Sequence, residues 1–313
     1  MTLRNEHHAA CRCWLSWMIM CMIVFVLSAC GAVPDASRFA TAGAQMHSAV
    51  TVTGDVLTTE LQRAKLDDES RQMQQLWKVP DACTLAMKDY GDAIASIVNA
   101  SHDSGAAAQQ VAQAGEAFAS SVGAVLPPVL ASAEVAQLTG TVVQQIQNER
   151  AARSLEAALS QMQPTVDLVT ALLDKQLRDA DETLLDANGI VYTDMVQTYQ
   201  QELSYSKVLT DARRALYSRS INADTTKQLD DITRREQAIA PSLQSFIQEK
   251  AANEQRWKVQ RELLNAARQT VQEWGIAHRQ LLVAVQNRSA VDTDTLNESI
   301  VELRALIRKA RMS

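Results

Sequence analysis

The sequence predicts an all-α fold: an elongated, mostly antiparallel helical bundle with long helices. Three observations carry this. The 313 residues include only 10 Gly and 6 Pro, and aromatics make up 4%. Ala, Gln, Leu and Glu are abundant instead, which favours long helices over sheets. No segment sustains a two-residue alternation of β-branched residues. Towards the C-terminus, apolar residues recur on a seven-residue grid, as in a coiled coil or a long bundle helix. A hydrophobic content of 47% is enough for a core, in one large domain or two small ones. The net charge of −6 comes without any strongly basic run, which argues against nucleic acid as a partner.

The chain opens on MTLRNEHHAACRC, where Arg4 and Arg12 outweigh Glu6. An uncharged run of 16 residues, WLSWMIMCMIVFVLSA, follows from Trp14 to Ala29. A bilayer-spanning helix needs roughly 20 residues. A positive start, a short apolar run and small residues at its end are the parts of a secretory signal peptide. The plainer readings are an uncleaved membrane helix or a buried core helix, and nothing else in the chain is as apolar. Leu27-Ser28-Ala29-Cys30 places an aliphatic residue and two small ones directly before a cysteine. This resembles the lipobox of bacterial lipoproteins with type II signal peptides. The resemblance covers residues 1–31 only, and no named family is identified for the rest. It implies acylation of Cys30, cleavage before it and a lipid anchor in the bacterial envelope. With Gly31 following rather than Asp, it favours the periplasmic face of the outer membrane. Two or more acyl chains hold a protein at a membrane nearly permanently. Cleavage would remove Cys11, Cys13 and Cys21, leaving Cys30 and a lone Cys83, so no disulfide framework is expected. It would also remove Arg4, Arg12 and Glu6, so the mature charge becomes −7 and the lipid, not electrostatics, would hold the protein.

Residues 30–48 then read as a lipidated tether of small residues, and 49–313 as the bundle. Leu57, Leu61, Ala64, Leu66, Met73 and Trp77 form a first helical face. Pro80 is expected to stop this helix and Asp81 to cap the next. Ala86, Tyr90, Ile94 and Ile97 line the second helix, and residues 99–105 read as a loop. Residues 104–148 carry only Glu116 and Glu134 as charges and are interrupted by Pro127-Pro128, where a new helix should begin. Leu138, Val142, Ile146, Leu155, Leu159 and Met162 continue a stripe, and Pro164 marks a break or kink. From Thr165 to Ser220 the period is steady, with Asp186-Ala-Asn-Gly189 as its weak point. A helix of roughly 55 residues would reach about 80 Å. After Asn222, Leu229, Leu243, Trp257, Leu264, Val271, His278 and Val285 share one seven-residue grid. Ile232, Ile239, Phe246, Ala267, Trp274 and Leu281 fall three residues along it. Pro241 should bend this seam without abolishing it. Thr295 and Glu298 suggest a capping box for a last helix striped by Leu296, Ile300, Leu303 and Ile307.

Chemistry-bearing motifs are sparse. The histidines outside the leader, His47, His102 and His278, form no metal-ligand spacing. His278 occupies a core grid position. It reads either as a buried pH switch or ligand contact, or as a core histidine bonded to a facing Tyr or carboxylate. Asp186-Ala-Asn-Gly189 resembles part of a calcium loop, but Leu184 and Met195 would then sit at liganding positions without side-chain oxygens. Ser204-Tyr-Ser-Lys207 spells Ser-x-x-Lys without the companion motifs that chemistry needs. Residues 117–133 are uncharged around two prolines. They read either as an Ala-rich packed helix pair or as the apolar hairpin of a pore-forming helical protein.

The expectation is therefore a non-enzymatic, lipid-anchored envelope lipoprotein that binds or scaffolds. Cys30 is its one site residue, with no catalytic, cofactor-binding or metal residues. Its partners are the membrane through the lipid, and a protein partner or a second copy along the helices. A membrane-inserting protein and a periplasmic inhibitor or immunity lipoprotein are the alternatives.

Overall fold

Phe39, Ala42, Met46, Ala49 and Val50 recur at helical spacing, and all of them are buried. They form one face of the first helix in the computed structural model. The structure describes residues 36–100, 113–115, 117–118, 155–218, 222–287, 289, 291 and 293–312. Among these are α1 (Ser37–Arg63), α2 (Asp67–Leu76), α3 (Lys78–Ala100), α4 (Leu155–Thr198), α5 (Gln200–Tyr217), α6 (Ala223–Asn287) and α7 (Asp294–Met312). Residues 113–115 and 117–118 are also helical, and no strand occurs among the described residues. The fold is all-α, as the sequence predicts.

The 65 residues of α6 form its axis, about 98 Å long at 1.5 Å per residue. The C-terminal part of α6, from Asn253, packs with α1, α4 and α7, and α3 lies on α1 and α4. These helices make a head whose core holds Trp274, Tyr90, Phe39, Phe118, Met46 and Leu159. The N-terminal part of α6 pairs with α5 and the end of α4 as a two-helix arm. Among the described residues the arm's own cluster buries Leu209, Leu216 and Ile232. Each large apolar side chain taken fully out of water contributes about 1.5–3 kcal/mol. The head therefore holds most of the stability, and the arm belongs to the low-stability end of the molecule.

Several boundaries differ from the sequence reading, each for a physical reason. The expected tether over 30–48 is helix from Ser37 onward. Its small residues serve packing: a Cβ on Gly43 would lie 3.0 Å from the Lys88 backbone, and one on Gly91 would lie 3.1 Å from the Ala40 backbone. The first helix ends at Arg63 rather than at Pro80, because Lys65 adopts a left-handed turn (φ 61°). Pro80 instead sits in the first turn of α3, where its missing N–H costs nothing. Pro164 does not break α4: Met162, Thr165 and Val166 around it are buried and hold the helix through packing. Asp186–Gly189 is continuous helix as well. Asn253 Nδ2 donates to Asn188 Oδ1 at 2.7 Å there, tying α4 to α6 across the weak point. The interruption falls instead at Tyr199, whose hydroxyl donates to Glu249 Oε1 at 2.7 Å. Pro241 lies exposed inside an uninterrupted α6. Helix α7 begins at Asp294, so Thr295 is inside it and is not a cap. The Pro127-Pro128 turn and residues 101–112 lie outside the described residues.

Candidate functional site

The ends of the molecule differ. Arg38, one residue into α1, pairs with Asp294 at the start of α7 (2.6 Å). Glu156 at the start of α4 accepts from Gln286 near the end of α6 (3.2 Å). Ala36 thus sits at a base formed by the α6–α7 connection. At the opposite end of the head, Glu60, near the end of α1, is buried against Gln260 Nε2 (3.0 Å) and Arg63 (2.7 Å). Burial and the neighbouring Arg63 charge lower the Arg256 pKa beside it. From this polar neck the arm continues away from the base for about 45 Å, from Asn253 to Ala223.

Helices α4 and α6 are held in register by a ladder. Asp167, Asp174 and Asp181, seven residues apart, face Arg279 (3.9 Å), Arg268 (3.0 Å) and Arg261 (3.0 Å). Asn188 and Asn253 form the next rung. Burial alone would raise the Asp174 carboxyl, but hydrogen bonds from Arg178 and Arg268 outweigh it and hold its pKa below the ordinary value. In sequence, Asp181-Glu182 reads as an ordinary solvated helix face, but Asp181 is partly buried against Arg261; the seven-residue recurrence of Asp167, Asp174 and Asp181 is the signal that distinguishes it.

His278 is fully buried among Phe39, Tyr90 and Trp274. Gln163 Nε2 donates to Asp167 Oδ1 (2.8 Å), which turns Gln163 Oε1 toward His278 Nδ1 (2.8 Å). The imidazole therefore carries its proton on Nδ1 and donates it there. Nε2 is left to accept from the Tyr90 hydroxyl (2.9 Å). Both ring nitrogens are satisfied in the neutral form. Burial, helped by the adjacent Arg279 charge, pushes the pKa from 6.5 down to about 3. His47 lies elsewhere, on α1 beside Thr84 (3.3 Å) and Asp81 (3.7 Å). The structure does not bring His47 and His278 together, and His102 lies outside the described residues. Among the described residues no group of three His, Cys, Asp or Glu is placed to hold a metal. Cys83 is buried, and desolvation pushes its thiol up to about 12, so it is an inert core residue. Ser204 and Lys207 are exposed on α5.

Cys30 lies outside the described residues, as does all of 117–133 except Ala117 and Phe118. Phe118 is buried and stacks on Tyr90 with ring centroids 5.5 Å apart. No helix among the described residues is long and apolar enough to cross a membrane.

The arm carries a surface concavity between its two helices. A groove of about 630 Å³ runs between α5 and α6. Its floor is Leu209, Ala212, Ala215, Leu216 and Ile232, and its α6 rim is Asp224, Lys227, Asp231 and Arg235. Val208 beside it is 61% exposed, and Tyr217 at the far end is 65% exposed. Among the described residues no third helix covers this face of the two-helix arm. An apolar floor with a charged rim is an arrangement that can bind an amphipathic partner. No protein-family model, curated protein or solved structure matches the chain.

Proposed function

We propose that the chain is a lipid-anchored lipoprotein of the bacterial envelope that acts by binding and scaffolding, not by catalysis. Acylated Cys30 holds the base of the head at the membrane, at the periplasmic face of the outer membrane. The arm presents its groove on the far side. One observation carries this reading: Ala36 sits at the base, opposite the end from which the arm leaves. The six peptide steps from Cys30 to Ala36 span about 20 Å when fully extended. The base would therefore stay close to the bilayer, while the arm tip would reach about 100 Å from it if the head stands upright.

Metabolic labelling with palmitate tests the anchor. The wild-type chain should be labelled, shortened by leader removal and recovered with membranes. Cys30→Ala should be unlabelled and keep its leader. Because Cys83 is buried, it offers no second acylation site. Label that persists in Cys30→Ala overturns the anchor.

A further inference from the structure

We propose that the arm groove takes a second copy of this chain, packed antiparallel across a two-fold axis that passes near Leu229. The inference rests on the arm being the interaction surface, and it does not depend on Cys30. The α6 rim of the groove reads Asp224, Lys227, Asp231, Arg235, alternating in sign along one helix face. Reversed end for end, this series becomes its own complement. Across the two-fold, Asp224 faces Arg235 of the second copy and Lys227 faces its Asp231, and each pair occurs twice. In a parallel arrangement each residue would face its own like charge. The complementarity therefore selects both the occupant and its direction.

The groove floor fits the same geometry. Ile232 lies less than one turn from Leu229 along α6, and Ala212 and Ala215 in the groove are small enough for a close helix approach. The rim charges are available for exchange. Asp231 is held by Arg235 at 2.8 Å and lies 3.6 Å from Arg234, Asp224 is held by Gln228 at 2.9 Å, and Arg235 also donates to the exposed Tyr205 hydroxyl of α5 at 3.4 Å; all are solvent-facing contacts. Such pairs contribute little on their own and can be traded for pairs across an interface. Lys227 makes no ion pair among the described residues. The dimer would place the two bases at opposite ends. It would bridge two facing surfaces, or lie flat when both anchors share one.

The test uses the full chain with Cys11, Cys13 and Cys21 replaced by serine, solubilised in detergent, so the outcome does not depend on leader removal. Asp224→Cys chains are mixed with Arg235→Cys chains and treated with a short bismaleimide matched to the ~10 Å spacing of packed helices. The mixture should give several-fold more linked dimer than either variant alone, above the background of the parent chain. Equal linking in each variant alone, or no linking above background, overturns the proposal. Charge reversal gives a second readout. Asp224→Arg or Arg235→Asp should each weaken dimerisation about tenfold, because each change occurs twice across the axis. The double reversal should restore it, and a double variant as weak as the singles contradicts the antiparallel pairing. If the arm binds a different protein, no homodimer forms although the arm still cross-links to protein in the envelope. That outcome sinks the dimer and leaves the scaffold reading standing.

Discussion

Lowering the pH from 7 to 4 is expected to remove about 3 kcal/mol of folding stability through His278 alone. The unfolded chain takes up a proton on this side chain near pH 6.5, while the folded chain resists until about pH 3. The unfolded state therefore binds more protons throughout that window. The contribution is fully present above pH 6.5 and is lost progressively as the pH falls toward 3. The cause is structural: Nε2 already accepts from Tyr90, so a proton there would replace an acceptor with a second donor inside the aromatic cluster. The Arg279 charge on the same helix adds to the penalty, and Asp167 reaches the ring only through the Gln163 amide. Urea unfolding at pH 7 and pH 4, followed by circular dichroism, separates this effect from other titrations. His278→Asn, with no titratable group at the position, should lose about 3 kcal/mol less than wild type between the two pH values. Equal losses in both proteins would show that His278 protonates without cost.

Replacing Trp274 by alanine is expected to cost about 3–5 kcal/mol, the largest single-residue effect in the head. The indole is fully buried, stacks on Phe39 with centroids 4.5 Å apart and meets Tyr90 edge-on at 6.5 Å. Phe39 lies on α1, Tyr90 on α3 and Trp274 on α6, so these rings join three helices at one level. The indole Nε1 is buried without a hydrogen-bond partner among the described residues. Its contribution is therefore packing, and the polar atom works against it. Trp274→Phe removes that donor and keeps most of the ring, so it should cost under about 1.5 kcal/mol. Similar urea midpoints for the alanine and phenylalanine variants would mean that the cluster does not depend on this ring.

Helix type and the face each helix buries were legible because periodicity reports burial directly. Leu264, Ala267, Val271, Trp274 and Leu281 lie on the predicted grid, and all are buried. The division into head and arm was written on the same grid but in polar residues. Glu236, Lys250, Asn253 and Gln260 occupy its remaining positions, and Asn253 and Gln260 mark the neck where the bundle opens into two helices. Helix ends were less legible. Lys65 breaks a helix without Gly or Pro, and Pro164 leaves one intact, because tertiary contacts decide both. The partners of His278 could not be read at all. Tyr90 and Gln163 lie 188 and 115 residues away in sequence, and no local pattern records such a distance. The arm groove was equally hidden, since an amphipathic helix in sequence does not reveal which part of its face remains uncovered.

Site-specific photo-crosslinking in the intact envelope tests the central claim most directly, namely a molecule anchored at its base and binding through its arm. One crosslinker replaces Val208 beside the arm groove, and another replaces Ser289 in the α6–α7 connection; both positions are exposed. The account predicts protein adducts, a second copy included, from position 208 and phospholipid adducts from position 289. Phospholipid adducts from position 208, or none from position 289, would contradict it.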